Sequence, residues 1–505
     1  MTKRLIASQF YVTEGQGSHH KLLYFPKKGW QSKTDSAFNF MVSKGTLQPL
    51  SEPEAEKLAA LRRTATLRWL PKTIGLRPVI SIKNDKLEVD IIHSKSYLRG
   101  LLQKTGHTYM NAQRLNQIWK RLPKNKIEKL YMVSVDIHDA YGSMIQDKVL
   151  QIVQETSEMY LGEDFMLKSV HIDYWRKTRV CRELQNDRSY SNNCQTRKVS
   201  DLMTTIQRAI KCQTIKRKKR TFLVTKGMSQ AMPLSAALCN LYIAHMDRAR
   251  LAEFSAEPCD TMIRAVDDYL YITPDKARAK RFLDVMSTGF QDYGMYINPN
   301  KTQHNLETTS EINFFGYLID PDSQEVYVKY SQGENAPYRN SVTFSNWADP
   351  LAVMKDKLKR IAAFKLNSLT TDPEYMSVEG AMWNVFQTAC VVACSFKAML
   401  GSWRSSFDLS TLSDLVHDSA DNIAKKVYRL RNSNGMRLHE TRWVAVRAYR
   451  LCLSHGAADD SNFLGDLVPA LECMEEHYRS TVRPTRFRLF WNITESLPPQ
   501  FTQGH

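Results

Sequence analysis

Three aspartates stand where their neighbours argue against them. Asp136 closes the apolar run YMVSVDI (131–137), and Asp267-Asp268 interrupts the β-rich run MIRAVDDYLYIT (262–273). A lone aspartate at a strand end is ordinarily a turn or cap residue, and a paired one is ordinarily a solvated turn. Aspartate disfavours strands, however, and adjacent carboxylates raise each other's pKa unless a cation neutralises them. Two such sites in one basic protein point to divalent metal. Two Mg²⁺ ions held about 3.5–4 Å apart would activate an attacking hydroxyl and stabilise a leaving pyrophosphate, the chemistry of polymerases and nucleases.

The charge balance agrees. The 505 residues carry 70 Lys and Arg against 52 Asp and Glu, a net +18, so an anionic partner is expected and nucleic acid is the foremost candidate. With 43% hydrophobic and 24% charged residues, disorder of the whole chain is excluded. Nine cysteines, with no CxxC pair, exclude a disulfide scaffold or zinc ribbon and suggest reduced thiols in cores. The N-terminal residues MTKRLIASQFYVTEG have no signal-peptide core. The longest apolar stretch, residues 389–400, contains Ser395 and Lys397 and is too short to span a bilayer, so no membrane partner is expected. The run KRKKR (216–220) reads as an import signal, a phosphate contact or a solvated loop.

The elements that must position the aspartates follow from patterning. SEPEAEKLAALRR (51–63) predicts a helix, with Ser51 as N-cap and Glu54 as its capping-box partner. Residues 67–82 predict a hairpin about Thr73-Ile74-Gly75. A helix over 99–125, a strand over 131–137 and a helix from about Asp147 follow. Residues 160–220 read as an irregular, basic inserted subdomain. A helix from about Pro233 to Ala249 precedes the Asp267-Asp268 hairpin. After it come a helix over 276–293, a strand over 295–297 and two strands over 313–329. From about Ala348 the pattern is helical, with Met382, Val385, Phe386, Ala389, Ala393, Phe396 and Leu400 on one 3.6-period face, and the end from about Thr494 reads as a loose tail.

The order of these segments resembles the telomerase reverse transcriptase family. VSVDIHDAY, GMSQAMPLSAALCNLY, MIRAVDDYLYITP, YGMYINPNKT and NFFGYLID resemble successive palm motifs, and LRWLPKTIGLRPV resembles the paired finger motifs. FYVTEGQGSHHKLLYFPKKGW resembles the T motif, and AFKLNSL with the apolar stripe resembles the thumb. The resemblance covers about residues 8–480. It implies an α+β right-hand polymerase with fingers, a palm with an antiparallel sheet and an all-α thumb, preceded by a small α-rich RNA-binding remnant. Its expected bounds are 1–66 for the remnant, 67–330 for fingers and palm with an insertion over about 150–220, and 331–505 for the thumb.

The resemblance also assigns residues. Asp136 and Asp267 would bridge two Mg²⁺ ions, with Asp268 peripheral and the Ile137 carbonyl completing one metal's shell. Lys72 and Arg77 would clamp the incoming triphosphate, and Lys301 would give a proton to the departing pyrophosphate or neutralise it. Tyr141 would exclude a 2′-hydroxyl, Gln230 and Ser235 would face the template–nucleotide pair, and Phe315 and Gly316 would form the primer grip. Each of these has a bland alternative, such as a core tyrosine or a solvated lysine. Three positions depart from the family pattern: Ala231 replaces a usual glycine, Ser229 a usual proline, and Gly142 the acidic residue that follows the tyrosine. The implied activity is RNA-directed DNA synthesis by a nucleotidyltransferase that adds telomeric repeats to chromosome 3′ ends in the nucleus. Its partners would be a telomerase RNA template, a single-stranded telomeric DNA primer and deoxynucleoside triphosphates. A retroelement reverse transcriptase and a catalytically weak nucleic-acid scaffold are the alternatives. Only about 66 residues precede the finger motifs, so a short form without the family's N-terminal domain and most of its RNA-binding domain is expected.

Overall fold

A computed structural model describes residues 2–15, 22–59, 64–72, 75–82, 89–106, 110–122, 129–160, 164–168, 172–173, 178–179, 194–230, 232–307, 311–330, 349–374, 376–403, 407–430, 436–455 and 462–502. Ala231, Thr73, Ile74, most of the insertion over 160–193 and residues 16–21 of the T-motif segment lie outside the described residues. The chain forms two compact units. One comprises Met1–Gln16, Leu23–Met110 and Val135–Thr302; the other comprises Gly17–Leu22, Asn111–Ser134 and Gln303–His505.

In the first unit the predicted hairpin forms from strands Thr64–Pro71 and Leu76–Ile82, with Leu67 opposite Ile80 and Trp69 opposite Pro78. Its turn includes Gly75 at φ +85°, a conformation that side chains disfavour. Three more strands extend it, in the order Leu47–Pro49, Arg220–Val224, Thr214–Arg217, Thr64–Pro71, Leu76–Ile82. Only the junction of Thr214–Arg217 with Thr64–Pro71 is parallel. Helix Lys27–Ser43 covers this sheet. Trp30 and Phe38 from the helix share a core with Trp69, Ile80, Ile215 and Phe222, and each such buried side chain contributes about 1.5–3 kcal/mol.

This arrangement corrects the irregular reading of 160–220. Val199–Lys211 is a helix with Leu202, Ile206, Ala209 and Ile210 on its buried face. The KRKKR run is neither a loop nor a free tail. It forms the ends of two paired strands and the turn between them, with Lys218 at φ +54°. Arg217 is ion-paired with Asp35 and lies 4.2 Å from the centre of the Phe38 ring.

Other boundaries shift for local reasons. The helix expected over 99–125 is two helices, Val89–Lys104 and Ala112–Trp119. Gly106 at φ +75° follows the first, and the Asn111 side chain caps the second by accepting the Arg114 N–H. Ser51 and Glu54 pair at the start of helix Glu52–Ala59, with Glu54 accepting both the N–H and the hydroxyl of Ser51 at 2.9 and 2.6 Å. The helix after the aspartate hairpin is Lys276–Thr288; Gly289 at φ +75° stops it before a separate 3₁₀ turn, Gln291–Tyr293. Residues 295–297 make two isolated bridges rather than a strand.

The sheet that carries the aspartates has the order Thr261–Ala265, Asp268–Thr273, Tyr131–Asp136, Gln303–His304. Helix Ser235–Arg250 in the first unit is buried on nearly all sides, including the polar Asn240 and Asp247.

Between residues 311 and 330 of the second unit lie three short strands where two were expected: Ile312–Phe314, Tyr317–Ile319 and Val326–Val328. Its long helices are Pro350–Lys365, Val378–Trp403, Leu409–Leu430, Leu438–Ser454 and Asn462–Arg479, with Pro484–Ile493 added. All seven residues of the expected stripe on Val378–Trp403 are buried, but so are Cys390, Val391, Val392 and Cys394, so this helix is a central one rather than one-faced. Its buried Asn384 accepts the Val328 N–H at 2.7 Å and donates to the Val326 and Thr370 carbonyls at 3.0 Å each. The C-terminal end is also anchored, contrary to the expected loose tail. Thr494 and Phe501 are fully buried, Pro499–Phe501 is a 3₁₀ turn, and the Phe501 ring lies 6.2 Å from that of Tyr330. Among the described residues no helix is long and apolar enough to cross a membrane.

Candidate active site

The site grows from two strand ends. Tyr131–Asp136 buries Met132, Val133 and Val135 and releases its last side chain, Asp136, at the sheet's end. In the neighbouring hairpin Ala265 pairs with Asp268, leaving Val266 and Asp267 as the turn, with Val266 at φ +63°. The Ile137 N–H donates to the Asp267 carbonyl at 3.0 Å. On the opposite side, the Asn298 N–H donates to the Asp136 carbonyl at 2.7 Å, and the His138 N–H to the Tyr296 carbonyl at 2.8 Å. Both backbone groups of an extended residue point the same way, so the Ile137 carbonyl faces the aspartate hairpin.

Three carboxylates therefore converge. Burial raises the Asp267 carboxyl above its usual range and the Asp136 charge raises it further, while Lys301 and Arg77 pull it back. Asp268 is pushed up to about 7, first by burial, then by its hydrogen bond with Asp136 and the charge of Asp267. Lys301 Nζ lies 3.0 Å from each carboxylate oxygen of Asp136. Carboxylates and a backbone carbonyl are hard oxygen donors of the kind Mg²⁺ takes, and a divalent cation would relieve their repulsion. Among the described residues no three His, Cys, Asp or Glu groups form a ready-made cage. Mg²⁺ commonly takes only one or two carboxylates plus substrate phosphates, so the donor set fits that ion.

A pH dependence follows. The folded-state pKa of Asp268 lies above its unfolded value of 3.8. The folded chain thus holds more protons than the unfolded chain between about pH 4 and 7, and this group makes stability fall as pH rises through that window. In metal-free buffer Tm should fall from pH 5 to 8 more steeply in wild type than in Asp268→Asn. Mg²⁺ should raise Tm most at pH 8, where the carboxylates are ionised. Thermal melts with and without Mg²⁺ check this; an equal Mg²⁺ effect at both pH values would count against it.

In the first unit a cavity of about 480 Å³ is lined by Lys72, Arg77 and Gln230 together with His138, Asp139 and Gly142. Lys44 and Lys226 add two more cations to its wall, and Phe40 and Trp69 add aromatic surface. In the second unit Phe315 and Gly316 form the two-residue turn between Ile312–Phe314 and Tyr317–Ile319. Both have positive φ, 52° and 75°, the geometry of a tight hairpin rather than a bulge. Lys365 donates to the Gly316 carbonyl at 2.9 Å and lies over the Tyr317 ring.

Residues 184–319 match the family model described as reverse transcriptase (RNA-dependent DNA polymerase). Telomerase reverse transcriptase of Oryzias latipes is 22% identical over 79% of this chain, and that of Canis lupus familiaris 23% over 92%. The telomerase structure from Candida albicans, solved with a TWJ fragment of telomeric RNA, superposes with a TM-score of 0.68 at 16% identity, covering 93% of this chain and 74% of that one. Apo telomerase from Candida tropicalis gives 0.56 at 17% identity, covering 94% and 78%. The chain is thus similar to the telomerase reverse transcriptases over most of its own length. It spans 42% and 49% of the length of the two curated relatives. It shares the mixed α/β fold of the two solved structures, with antiparallel sheets and a helical C-terminal part.

The expected site residues divide. Asp136, Ile137, Asp267, Asp268 and Lys301 come together at the strand ends, and Lys72, Arg77 and Gln230 share the cavity. Ser235 departs from its expected role. It is fully buried and its hydroxyl donates to the Ser229 carbonyl, so it shapes the turn instead of facing a ligand. Ser229 in turn donates its hydroxyl to the Ile80 carbonyl, a bond unavailable to the family's usual proline. Tyr141 is half-buried, its carbonyl accepts the Met228 N–H at 2.8 Å, and it is not among the described residues that line the cavity. At Gly142 the place of a Cβ is taken by the Asp139 carboxylate; Asp139 itself adopts φ +47°. Sequence reasoning missed Lys44, Lys226 and Asp139. The adjacency of Asp139 to the Asp136 motif was the one signal that could have found any of them.

Proposed function

We propose that this chain is an RNA-templated DNA polymerase of the telomerase type, which adds deoxynucleotides to chromosome 3′ ends in the nucleus. The observation that carries this reading is the meeting of Asp136 with Asp267 and Asp268, from segments 131 residues apart, in the unit that also holds the cation-lined cavity. Asp136 and Asp267 would hold two Mg²⁺ ions, with Asp268 at the edge and the Ile137 carbonyl as a further ligand. Bound Mg²⁺ supplies a lowered pKa for the primer hydroxyl and neutralises charge on the departing pyrophosphate. Lys301 is placed to give that pyrophosphate a proton. Lys72 and Arg77 hold the triphosphate, Gln230 faces the nascent pair, Tyr141 selects the sugar, and Phe315 and Gly316 carry the primer. The domain reading places the RNA-binding remnant at 1–66, fingers and palm at 67–330 and the thumb at 331–505. The partners are a telomerase RNA, single-stranded telomeric DNA and deoxynucleoside triphosphates.

The test is primer extension by the purified chain on an RNA template with Mg²⁺, together with sequencing of copurifying RNA. Extension with a single RNA that carries a telomere-complementary template supports the reading. No extension under any divalent metal overturns it, and extension with a heterogeneous RNA pool overturns the telomerase assignment. Arg77→Ala should raise the deoxynucleotide KM by about 10–100-fold, the worth of one charge-assisted contact, with a smaller loss in kcat. Steady-state kinetics at saturating template reads this out; an unchanged KM would remove Arg77 from the triphosphate site.

A further inference from the structure

Behind the aspartate turn lies a buried ion pair that the proposed chemistry does not use. Arg264, on strand Thr261–Ala265, has 8% of its side chain exposed, and Asp247, on helix Ser235–Arg250, has 6%. Arg264 Nε donates to Asp247 at 2.7 Å. Its Nη1 donates to Asn240 Oδ1 at 3.1 Å and to the Val266 carbonyl at 2.9 Å. The second oxygen of Asp247 accepts the Tyr269 hydroxyl at 2.5 Å.

Stability alone is a weak reason for this arrangement, because desolvation of a buried pair offsets much of its attraction. The bond to Val266 is the informative one. Val266 is held at φ +63°, which a β-branched residue avoids. Its carbonyl belongs to the peptide that leads into Asp267, so the orientation of that peptide sets the direction of the Asp267 side chain. A guanidinium is a rigid fork, and here it ties the turn peptide to a helix that is buried on nearly all sides.

We propose that Arg264 is a positioning residue: its fork fixes the Val266–Asp267 peptide and so holds the Asp267 and Asp268 carboxylates against Asp136 for metal binding. The proposal rests on the polymerase reading above. It assigns Arg264 a role through other residues, with no contact to substrate.

Mn²⁺ binding, read from the free-ion EPR signal, tests it alongside primer extension and thermal melts. Arg264→Lys keeps a cation beside Asp247, but one ammonium cannot fill both the Nε place at Asp247 and the Nη1 place between Asn240 and the Val266 carbonyl. Its Mn²⁺ affinity should fall about 10–100-fold, as for other groups that orient metal ligands. The Mg²⁺ concentration for half-maximal extension should rise in step, and the deoxynucleotide KM at saturating metal should change little. Tyr269→Phe removes a different bond to the same carboxylate and should lower Tm with wild-type Mn²⁺ affinity. A folded Arg264→Lys with lowered Tm and wild-type Mn²⁺ affinity overturns the proposal. If that variant has no cooperative melt, Asn240→Ala decides in its place: weakened Mn²⁺ binding supports the proposal and unchanged binding overturns it. A wild-type chain that neither binds Mn²⁺ nor extends a primer overturns the polymerase reading and the role of Arg264 with it.

Discussion

Asp267→Ala is expected to eliminate primer extension while leaving the chain folded and at least as stable. The loss should be about 10⁴-fold or more, because on the proposed reading Asp267 would hold both metals and so serve the attacking and the leaving oxygen together. Stability should hold because Asp267 sits among like charges that raise its own pKa and that of Asp268. Removing it relieves repulsion, and the backbone carbonyl that accepts the Ile137 N–H remains. Extension assays at saturating Mg²⁺ and nucleotide, paired with melts at pH 8, read both effects. Activity within tenfold of wild type would remove Asp267 from the metal site. Lost activity with a collapsed Tm would mean that the carboxylate serves the fold.

Gly227→Ala should be the most damaging single-methyl substitution in the first unit. Gly227 has φ +70°, and a Cβ there would lie 2.6 Å from the Gly142 carbonyl oxygen and 2.7 Å from its Cα. Both are backbone atoms. The segment cannot retreat, because the Gly227 N–H donates to the Met144 carbonyl at 3.0 Å, its carbonyl accepts from Gln146 Nε2 at 3.0 Å, and the Met228 N–H donates to the Tyr141 carbonyl. Left-handed strain plus the clash should cost about 3–4 kcal/mol. Gly142→Ala is the control, since its Cβ meets only the exposed, flexible Asp139 side chain, and about 1 kcal/mol is expected. Denaturant unfolding of the two variants separates them; equal costs would contradict the backbone contact. Because Gly142, Lys226 and Met228 line the cavity, Gly227→Ala should also raise the nucleotide KM.

Much of the site was legible because its chemistry is local in sequence. An apolar strand that ends on Asp136 and a hairpin that turns at Asp267 each announce themselves through residues that conflict with their surroundings. The finger hairpin was legible for the same reason, two apolar runs about a glycine. What failed was non-local. Strand Thr214–Arg217 pairs in parallel with Thr64–Pro71 across some 150 residues, and its buried Ile215 directly precedes the KRKKR run. Lys44 and Lys226 reach the cavity only through that folding, and no local pattern marks either. Gly106 and Gly289 were read through as helix interior, although each adopts a positive φ that ends its helix. The end from about Thr494 reads as a loose tail, yet Pro498 and Pro499 set up the turn that buries Phe501.

That buried phenylalanine makes the second unit's last turn a reporter of its own opening. Phe501 is fully enclosed, and the Thr502 carbonyl lies 3.0 Å from His455 Nε2. A carboxypeptidase working inward can release Phe501 only when this end of the unit opens. When reclosing outpaces cleavage, the release rate is therefore proportional to the open population. The slow appearance of free phenylalanine in solution would then measure how large a fraction of the chains stands open at this end, with no label and no denaturant.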